Sequence, residues 1–167
     1  HECGRLDRFH REEDRRNFLV SHALVRRALS HYTGVPPAEW RFETGDRGRP
    51  EIAAPPLPGL RFSLAHTPGL VACLVARDCE SGVDAEAVGR RRNLPRLARR
   101  VLSPSEYATW EALPEAERPL RFLVYWTLKE AYLKARGLGL ALPPREVGFD
   151  LRDAQIRIES APADDPD

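Results

Sequence analysis

The chain has 167 residues, of which 42% are hydrophobic and 31% are charged, a composition typical of one globular domain or of two small halves packed together. Its formal net charge of +1 is too small for a protein that coats nucleic acid, because such proteins carry a strong basic excess. No apolar run is long enough to cross a bilayer, and no signal peptide is visible. Three cysteines without metal-ligand spacing predict a reduced, cytoplasmic protein with no membrane partner.

The first half of the chain predicts one amphipathic helix followed by short strands. From about Arg11 to Tyr32, apolar residues recur at steps of three and four, which is the period of a helix with one buried face. Segments bounded by turn residues then predict strands at 40–44, 50–52, 60–64 and 70–76. The last of these segments is continuously apolar, which predicts a fully buried central strand.

The second half repeats this pattern of helix and strand. A Cys79–Gly82 turn marks the predicted boundary. After it, the sequence predicts a helix near 94–102, a helix capped by Ser103 and Glu106, a long helix at about 118–136, and strands around 147–151 and 155–159.

Since each half holds one long helix beside short strands, the predicted fold is α+β. We expect a pseudodimer of two similar lobes, 1–79 and 80–167, each with a long helix packed on a small, mostly antiparallel sheet. The chain starts at His1, contains no methionine, and stops soon after the last predicted strand. We therefore expect it to be part of a longer product, truncated at both ends.

Two acidic motifs stand out as candidate chemistry. Asp84 and Glu86 alternate with apolar residues, the period of a strand, so both carboxylates are predicted to project from one face. Glu130 and Lys134 lie four residues apart on the long helix, one above the other. Each pair alone is also consistent with an ordinary solvated surface. Together, three carboxylates and a lysine make an oxygen-rich site suited to Mg²⁺ and a phosphate ester.

The ordered motifs of the whole chain resemble one known family. They are Glu13-Asp14 followed by Leu24-Val-Arg26, Gly48-Arg-Pro50, Phe62-Ser-Leu-Ala-His66-Thr67, Gly82-Val-Asp-Ala-Glu86, and Trp126-x-x-Lys-Glu-Ala-x-x-Lys134. This set resembles the 4′-phosphopantetheinyl transferase superfamily, in particular its surfactin-synthetase (Sfp) type, a single-chain pseudodimer. The similarity covers nearly all 167 residues.

The resemblance implies an enzyme with a defined reaction and defined partners. Members move the phosphopantetheine arm of coenzyme A to a serine hydroxyl of an apo acyl- or peptidyl-carrier protein, and they release 3′,5′-ADP. The implied metal is Mg²⁺, with Mn²⁺ as the alternative ion. The implied partner is an acidic carrier protein, which the arginine-rich run from Arg90 to Arg100 would attract. The implied oligomeric state is a monomer.

The resemblance also assigns roles to individual residues. Asp84, Glu86 and Glu130 would be the metal ligands, and Glu130 would also be the general base for the serine proton. Lys134 would lie against the pyrophosphate as a point charge. The phosphates of coenzyme A would be contacted by basic residues elsewhere, with Arg5 and Arg16 as weaker candidates than His66 and Arg49.

The chain departs from the family pattern in two segments that the resemblance assigns to coenzyme A binding. Asn17 stands where the first-helix pattern predicts an arginine, and Arg16 beside it is rotated by about 100° on a helix. Ser63 and Ala65 replace two residues of the family's F-N-L-S-H-T segment. These departures predict weaker coenzyme affinity with an intact metal site.

Three alternatives remain at this point. The first is a degenerate homologue that binds coenzyme A and transfers the arm poorly. The second is a Mg²⁺-dependent phosphohydrolase that uses the same three carboxylates. The third is a nucleic-acid-binding module built on the arginine run, which the small net charge and the absence of interleaved aromatic residues disfavour.

Overall fold

The computed structural model describes residues 11–45, 48–89, 93–137, 139–153 and 155–162. The first half contains α1 (Glu12–Thr33), β1 (Arg41–Thr44), β2 (Pro50–Ala54), β3 (Leu60–Thr67) and β4 (Leu70–Arg77). The second half contains α2 (Leu94–Val101), α3 (Pro104–Glu111), α4 (Arg118–Arg136), β5 (Gly148–Asp150) and β6 (Arg157–Ser160). The architecture is α+β, as predicted. None of the described helices is long and apolar enough to cross a membrane.

In the first half, α1 packs against the β3–β4 hairpin. Its Ser21, Val25 and Leu29 are buried, and their spacing of four residues keeps them on one face of the helix. Leu29 meets Trp40, which is fully buried and donates its indole N–H to Ser30 Oγ at 3.0 Å. The helix ends at Gly34, whose φ of 77° is a conformation that glycine adopts without a steric penalty.

All strands in the described part of the chain form two-stranded antiparallel hairpins, β1–β2, β3–β4 and β5–β6. The prediction of a fully buried central strand at 70–76 is therefore wrong. β4 pairs with β3, and the side chain of Leu70 at its start is 53% exposed. Its apolar residues serve instead as the surface on which α1 lies.

In the second half, α4 is the element around which the core forms. Its Phe122, Tyr125 and Leu133 are buried. They pack with buried residues of the neighbouring elements, Ala98, Val101, Leu102, Trp110, Leu142, Val147 and Phe149. The helix ends at Gly137 with a φ of 63°, and the predicted bounds of 118–136 are confirmed.

A charged pair lies inside this apolar core. Glu106 completes the predicted capping box with Ser103. Its carboxylate also lies 2.7 Å from Lys129 Nζ, and neither side chain has any exposed surface. The backbone N–H of Phe149 donates to Glu106 Oε1 at 2.8 Å, and Lys129 donates to the carbonyl oxygens of Pro144 and Val147. The pair thus ties α3, α4 and β5 together.

Burial lowers the pKa of Lys129, while the hydrogen bond and the charge of Glu106 oppose that effect. Removing one partner of such a pair leaves an uncompensated buried charge. We therefore predict that Lys129→Met lowers the free energy of unfolding by about 3–5 kcal/mol, measured by urea denaturation. The double variant Lys129→Met/Glu106→Gln should recover part of this loss, because no isolated charge remains.

The matched control is Arg152→Met. Arg152 pairs with Asp150 at 2.7 Å, but its side chain is largely exposed, so the denaturation midpoint should stay at the wild-type value. Equal midpoints for Lys129→Met and the wild type would contradict the assigned role of the buried pair.

The half-buried Cys73 on β4 provides a pH-dependent test of the first half. Burial raises the pKa of the Cys73 thiol to about 11. Near pH 8 its reactive thiolate population should therefore be about 200-fold smaller than that of a cysteine with the usual pKa of about 8.5. We expect slow alkylation of Cys73 in the folded protein, rising as the pH approaches 11, and fast alkylation in urea. Peptide mapping by mass spectrometry measures both rates, and equal rates would show that Cys73 is not buried.

Candidate active site

The acidic segment 81–87 enters the space between the two halves without forming a strand. The predicted strand at Val83–Glu86 is therefore wrong. Its backbone is held by side chains instead: the Val83 N–H donates to Ser63 Oγ at 3.1 Å, and Lys134 Nζ donates to the Val83 carbonyl at 3.1 Å. Gly82 lies directly against the backbone of α4, where a Cβ atom would overlap the carbonyl oxygen of Ala131. The close approach therefore requires glycine.

The three predicted carboxylates do come close enough to influence one another. Burial raises the pKa of Glu130, and the negative charges of Asp84 and Glu86 raise it further, against the opposing effect of Lys134. Asp84 is 12% exposed and lies 2.8 Å from Lys134 Nζ through Oδ1. Its Oδ2 is buried and has no hydrogen-bond partner. The segment thus concentrates negative charge that a single lysine only partly compensates.

This donor set fits a hard divalent cation chemically. Carboxylate oxygens are the ligands that Mg²⁺ prefers, and a cation would satisfy Asp84 Oδ2 while relieving the repulsion on Glu130. Within the described ranges, however, no three acidic, histidine or cysteine side chains stand in an arrangement that could hold a metal ion together. In the present arrangement, the ammonium of Lys134 provides the nearest positive charge to Asp84.

Lys134 links three parts of the molecule. Its Nζ donates to the carbonyl oxygen of Leu64 at 3.3 Å, to that of Val83 at 3.1 Å and to Asp84 Oδ1 at 2.8 Å. An ammonium group has three N–H donors, so these contacts use its full capacity. Lys134 therefore joins α4 to β3 and to the acidic segment, a role that sequence analysis did not anticipate.

A cavity of about 320 Å³, here called the central cleft, lies beside these groups. Its walls come from the Gly48–Pro50 turn, from β3 at Phe62–Leu64 and from α4 at Glu130, Leu133 and Lys134. Arg49 lines it from the first half. Its Nη1 donates to the carbonyl of Ala135 at 3.2 Å, while its Nη2 is buried and has no partner. An unpartnered guanidinium N–H in a cavity is suited to an anion.

A second cavity of about 410 Å³ adjoins the central cleft and shares Gly48, Pro50, Phe62 and Leu64 with it. Here called the side cavity, it is bounded by α1, β1 and the end of β3, where His66 is exposed. Asn17 lines this cavity, whereas the exposed Arg16 lines a different depression beside Gly69 and Leu70. Asn17 also borders this depression, whereas Arg16 does not line the side cavity. Arg5 lies outside the described residues.

Two contributors to the site were missed from the sequence. Ser63 was noted only as a departure from the family pattern, yet it holds the acidic segment. Phe18, His22 and Phe42 form a chain of aromatic contacts beside the side cavity, with ring centroids 4.1 Å and 6.4 Å apart. Alternation along β3 gives no signal for Ser63, because it groups this residue with Arg61 on the polar face, whereas Phe62 and Ser63 are both buried.

Comparison with known families and proteins covers both halves of the chain. A family model described as 4′-phosphopantetheinyl transferase, N-terminal, matches residues 1–78. A second model, described as the 4′-phosphopantetheinyl transferase superfamily, matches residues 80–163. The first match ends at residue 78 and the second begins at residue 80, directly before the acidic segment.

Individual relatives agree with these matches. The chain is 35% identical over 164 residues to the 4′-phosphopantetheinyl transferase HetI of Nostoc sp., covering 97% of this chain and 69% of HetI. It is 32% identical over 154 residues to the 4′-phosphopantetheinyl transferase Sfp of Bacillus subtilis, covering 91% of this chain and 66% of Sfp. It is 34% identical over 123 residues to the 4′-phosphopantetheinyl transferase AcpT of Salmonella typhimurium, covering 74% of this chain and 59% of AcpT.

The repulsion around Glu130 gives a stability test that does not depend on turnover. In EDTA at neutral pH, Glu130→Gln should raise the melting temperature, because it removes a half-buried carboxylate that the charges of Asp84 and Glu86 repel. A gain of about 1 kcal/mol corresponds to roughly 2–4 °C for a chain of this size. The control Glu115→Gln, at an exposed position, should leave the melting temperature unchanged. A lower melting temperature for Glu130→Gln would show that the carboxylate stabilises the folded protein instead.

Proposed function

Because this chain belongs to the 4′-phosphopantetheinyl transferase superfamily, we propose that it transfers the 4′-phosphopantetheine arm of coenzyme A to a serine hydroxyl of an apo acyl- or peptidyl-carrier protein. The observation that carries this proposal is that Arg49, Glu130 and Lys134 line one cleft between the two halves. Asp84 adjoins this cleft through its 2.8 Å ion pair with Lys134. Acidic and basic groups that converge on a cavity are suited to a metal-assisted reaction of a phosphate ester.

The transfer forms one bond and breaks another at the same phosphorus atom. The serine oxygen of the carrier attacks the phosphorus that bears the pantetheine arm. The bond from this phosphorus to the bridging oxygen breaks, and 3′,5′-ADP leaves with the electron pair. The serine proton must be taken up during the attack. Glu130 is the proposed acceptor, because its side chain lines the central cleft in which the phosphate ester would lie.

Asp84, Glu86 and Glu130 are the proposed ligands of Mg²⁺, with Mn²⁺ as the alternative ion. When bound, such an ion supplies charge neutralisation for the pyrophosphate oxygens. Asp84 presents a buried unpartnered oxygen for this purpose. Lys134 keeps Asp84 in place through Oδ1 and adds a positive charge at the edge of the central cleft.

The two adjoining cavities provide the proposed space for coenzyme A. Arg49 would bind a phosphate in the central cleft through its unpartnered Nη2. His66 would contact a phosphate in the side cavity. Arg5 and Arg16 remain weaker proposals, since Arg16 lines neither cavity and Arg5 lies outside the described residues.

The proposed partner is an acidic carrier protein. In the described part of the arginine-rich run, Arg96, Arg99 and Arg100 lie on α2 and are exposed. Such a basic surface would speed the encounter with an acidic partner, and the effect would weaken with salt. We further propose that the protein acts as a monomer whose two lobes, 1–79 and 80–167, enclose the site.

One observation favours a second candidate function. Asn17, where the family pattern predicts arginine, lines the side cavity. Its neutral amide cannot offer the charge-assisted contact of a guanidinium. A homologue that binds coenzyme A weakly and transfers the arm slowly is therefore the alternative.

The decisive experiment is intact-mass analysis of a panel of apo carrier proteins incubated with this protein, coenzyme A and Mg²⁺. We expect the mass of one phosphopantetheine arm to be added by the wild type and not by Glu130→Ala. Coenzyme A binding without transfer to any carrier would support the second candidate. Hydrolysis of coenzyme A without a carrier would identify a phosphohydrolase and overturn the proposal.

Arg49 provides a prediction specific to coenzyme binding. Arg49→Met should raise the KM for coenzyme A by about 10- to 100-fold, the equivalent of one lost charge-assisted hydrogen bond, with a smaller change in kcat. The KM of Arg49→Lys should lie between those of the wild type and Arg49→Met, because lysine keeps the positive charge but lacks the planar, two-pronged geometry of the guanidinium. The melting temperatures of both variants show whether losing the hydrogen bond to the Ala135 carbonyl also destabilises the fold. An unchanged KM in Arg49→Met would remove Arg49 from the coenzyme site.

A further inference from the structure

The acidic segment 81–87 carries two of the proposed metal ligands, yet its backbone has few anchors. Among the residues that the structure describes, it joins no sheet, and no backbone-to-backbone hydrogen bond holds it. A segment held this way has little intrinsic stability of its own. The orientation of Asp84 must therefore be set by the contacts that side chains make with its backbone.

Those contacts converge on Val83, the residue before Asp84. Its N–H donates to Ser63 Oγ at 3.1 Å, and its carbonyl accepts from Lys134 Nζ at 3.1 Å. The peptide groups on both sides of Val83 are thus held, one from β3 and one from α4. The second of these peptide groups leads directly into Asp84. Fixing Val83 therefore fixes the direction from which the Asp84 side chain leaves the backbone.

Ser63 is rigid enough to act as such an anchor. It is 6% exposed, and its backbone lies in the β3–β4 ladder opposite Leu74. Its hydroxyl spans the gap between the first half of the molecule and the acidic segment. Lys134 is less informative to test, because it also carries the ion pair to Asp84. Ser63 separates the anchoring of the backbone from the charge of the site.

We infer that Ser63 is a positioning residue, whose hydroxyl fixes Val83 and thereby orients Asp84 for the metal and phosphate chemistry. The inference deepens the proposed function and rests on it. A displacement of about 1 Å at a reacting centre is enough to lower a rate by about 100-fold. Groups that orient metal ligands typically change metal affinity by about 10- to 100-fold.

The test compares Ser63→Ala, which removes the acceptor, with Ser63→Thr, which keeps it. We expect Ser63→Ala to weaken Mn²⁺ binding by about 10-fold or more, measured by electron paramagnetic resonance of the metal alone. Its kcat should fall by about 10- to 100-fold. Ser63→Thr should keep the Mn²⁺ affinity and the kcat of the wild type.

Thr33→Val is the matched control. Thr33 Oγ1 also accepts a backbone N–H, that of Val35, at 3.3 Å, but it lies at the far end of α1, away from both cavities. Removing this hydroxyl should leave Mn²⁺ affinity and kcat unchanged. Wild-type Mn²⁺ affinity in Ser63→Ala would overturn the inference. Equal losses in Ser63→Ala and Ser63→Thr would also overturn it, because packing rather than the hydroxyl would then be responsible.

The amide hydrogen exchange rate of Val83 tests the hydrogen bond to Ser63 directly, whether or not the protein has the proposed activity. Ser63→Ala should speed this exchange by about 10-fold or more, since it breaks the hydrogen bond that protects the amide. If the wild type transfers no arm and binds no Mn²⁺, the proposed function fails, whereas the anchoring of Val83 is still decided by this measurement. Unchanged exchange in Ser63→Ala would show that Ser63 does not hold the segment.

Discussion

The buried ion pair between Lys129 and Glu106 fixes the helix on which the site depends. Both side chains are fully buried, and they connect α4 to α3 and to β5. Successive residues of a helix differ by about 100° in direction. With Lys129 held in the core, the next residue, Glu130, is directed to the central cleft. One turn later, Lys134 reaches the same cleft and contacts Asp84.

The site exists only where the two halves meet. The first half contributes Arg49 and Ser63, and α4 contributes Glu130 and Lys134. Among the described residues, two polar contacts that cross this junction come from long basic side chains: Arg49 donates to the carbonyl of Ala135, and Lys134 donates to that of Leu64. Such contacts position charged groups but bury little apolar surface. Substitutions at this junction should therefore affect the chemistry more than the stability of either core.

Local signals were sufficient to predict much of this fold. The bounds of α4 were predicted because a long amphipathic pattern ends at a glycine that adopts a left-handed conformation. The Ser103–Glu106 capping box was predicted because its interactions lie within four residues. The Val83–Glu86 strand was wrong, since alternation reports that residues are half-buried and says nothing about a pairing partner. The core role of Lys129 was missed because its partner Glu106 is distant in sequence.

We propose that the three carboxylates and the two adjoining cavities together hold one metal ion and coenzyme A. The decisive test of this proposed site is a crystal structure of the wild type with Mn²⁺ and coenzyme A. We predict an anomalous peak bounded by Asp84, Glu86 and Glu130, with the pyrophosphate beside it and a phosphate on Arg49. Mn²⁺ bound elsewhere, or coenzyme A outside both cavities, would rule out this site.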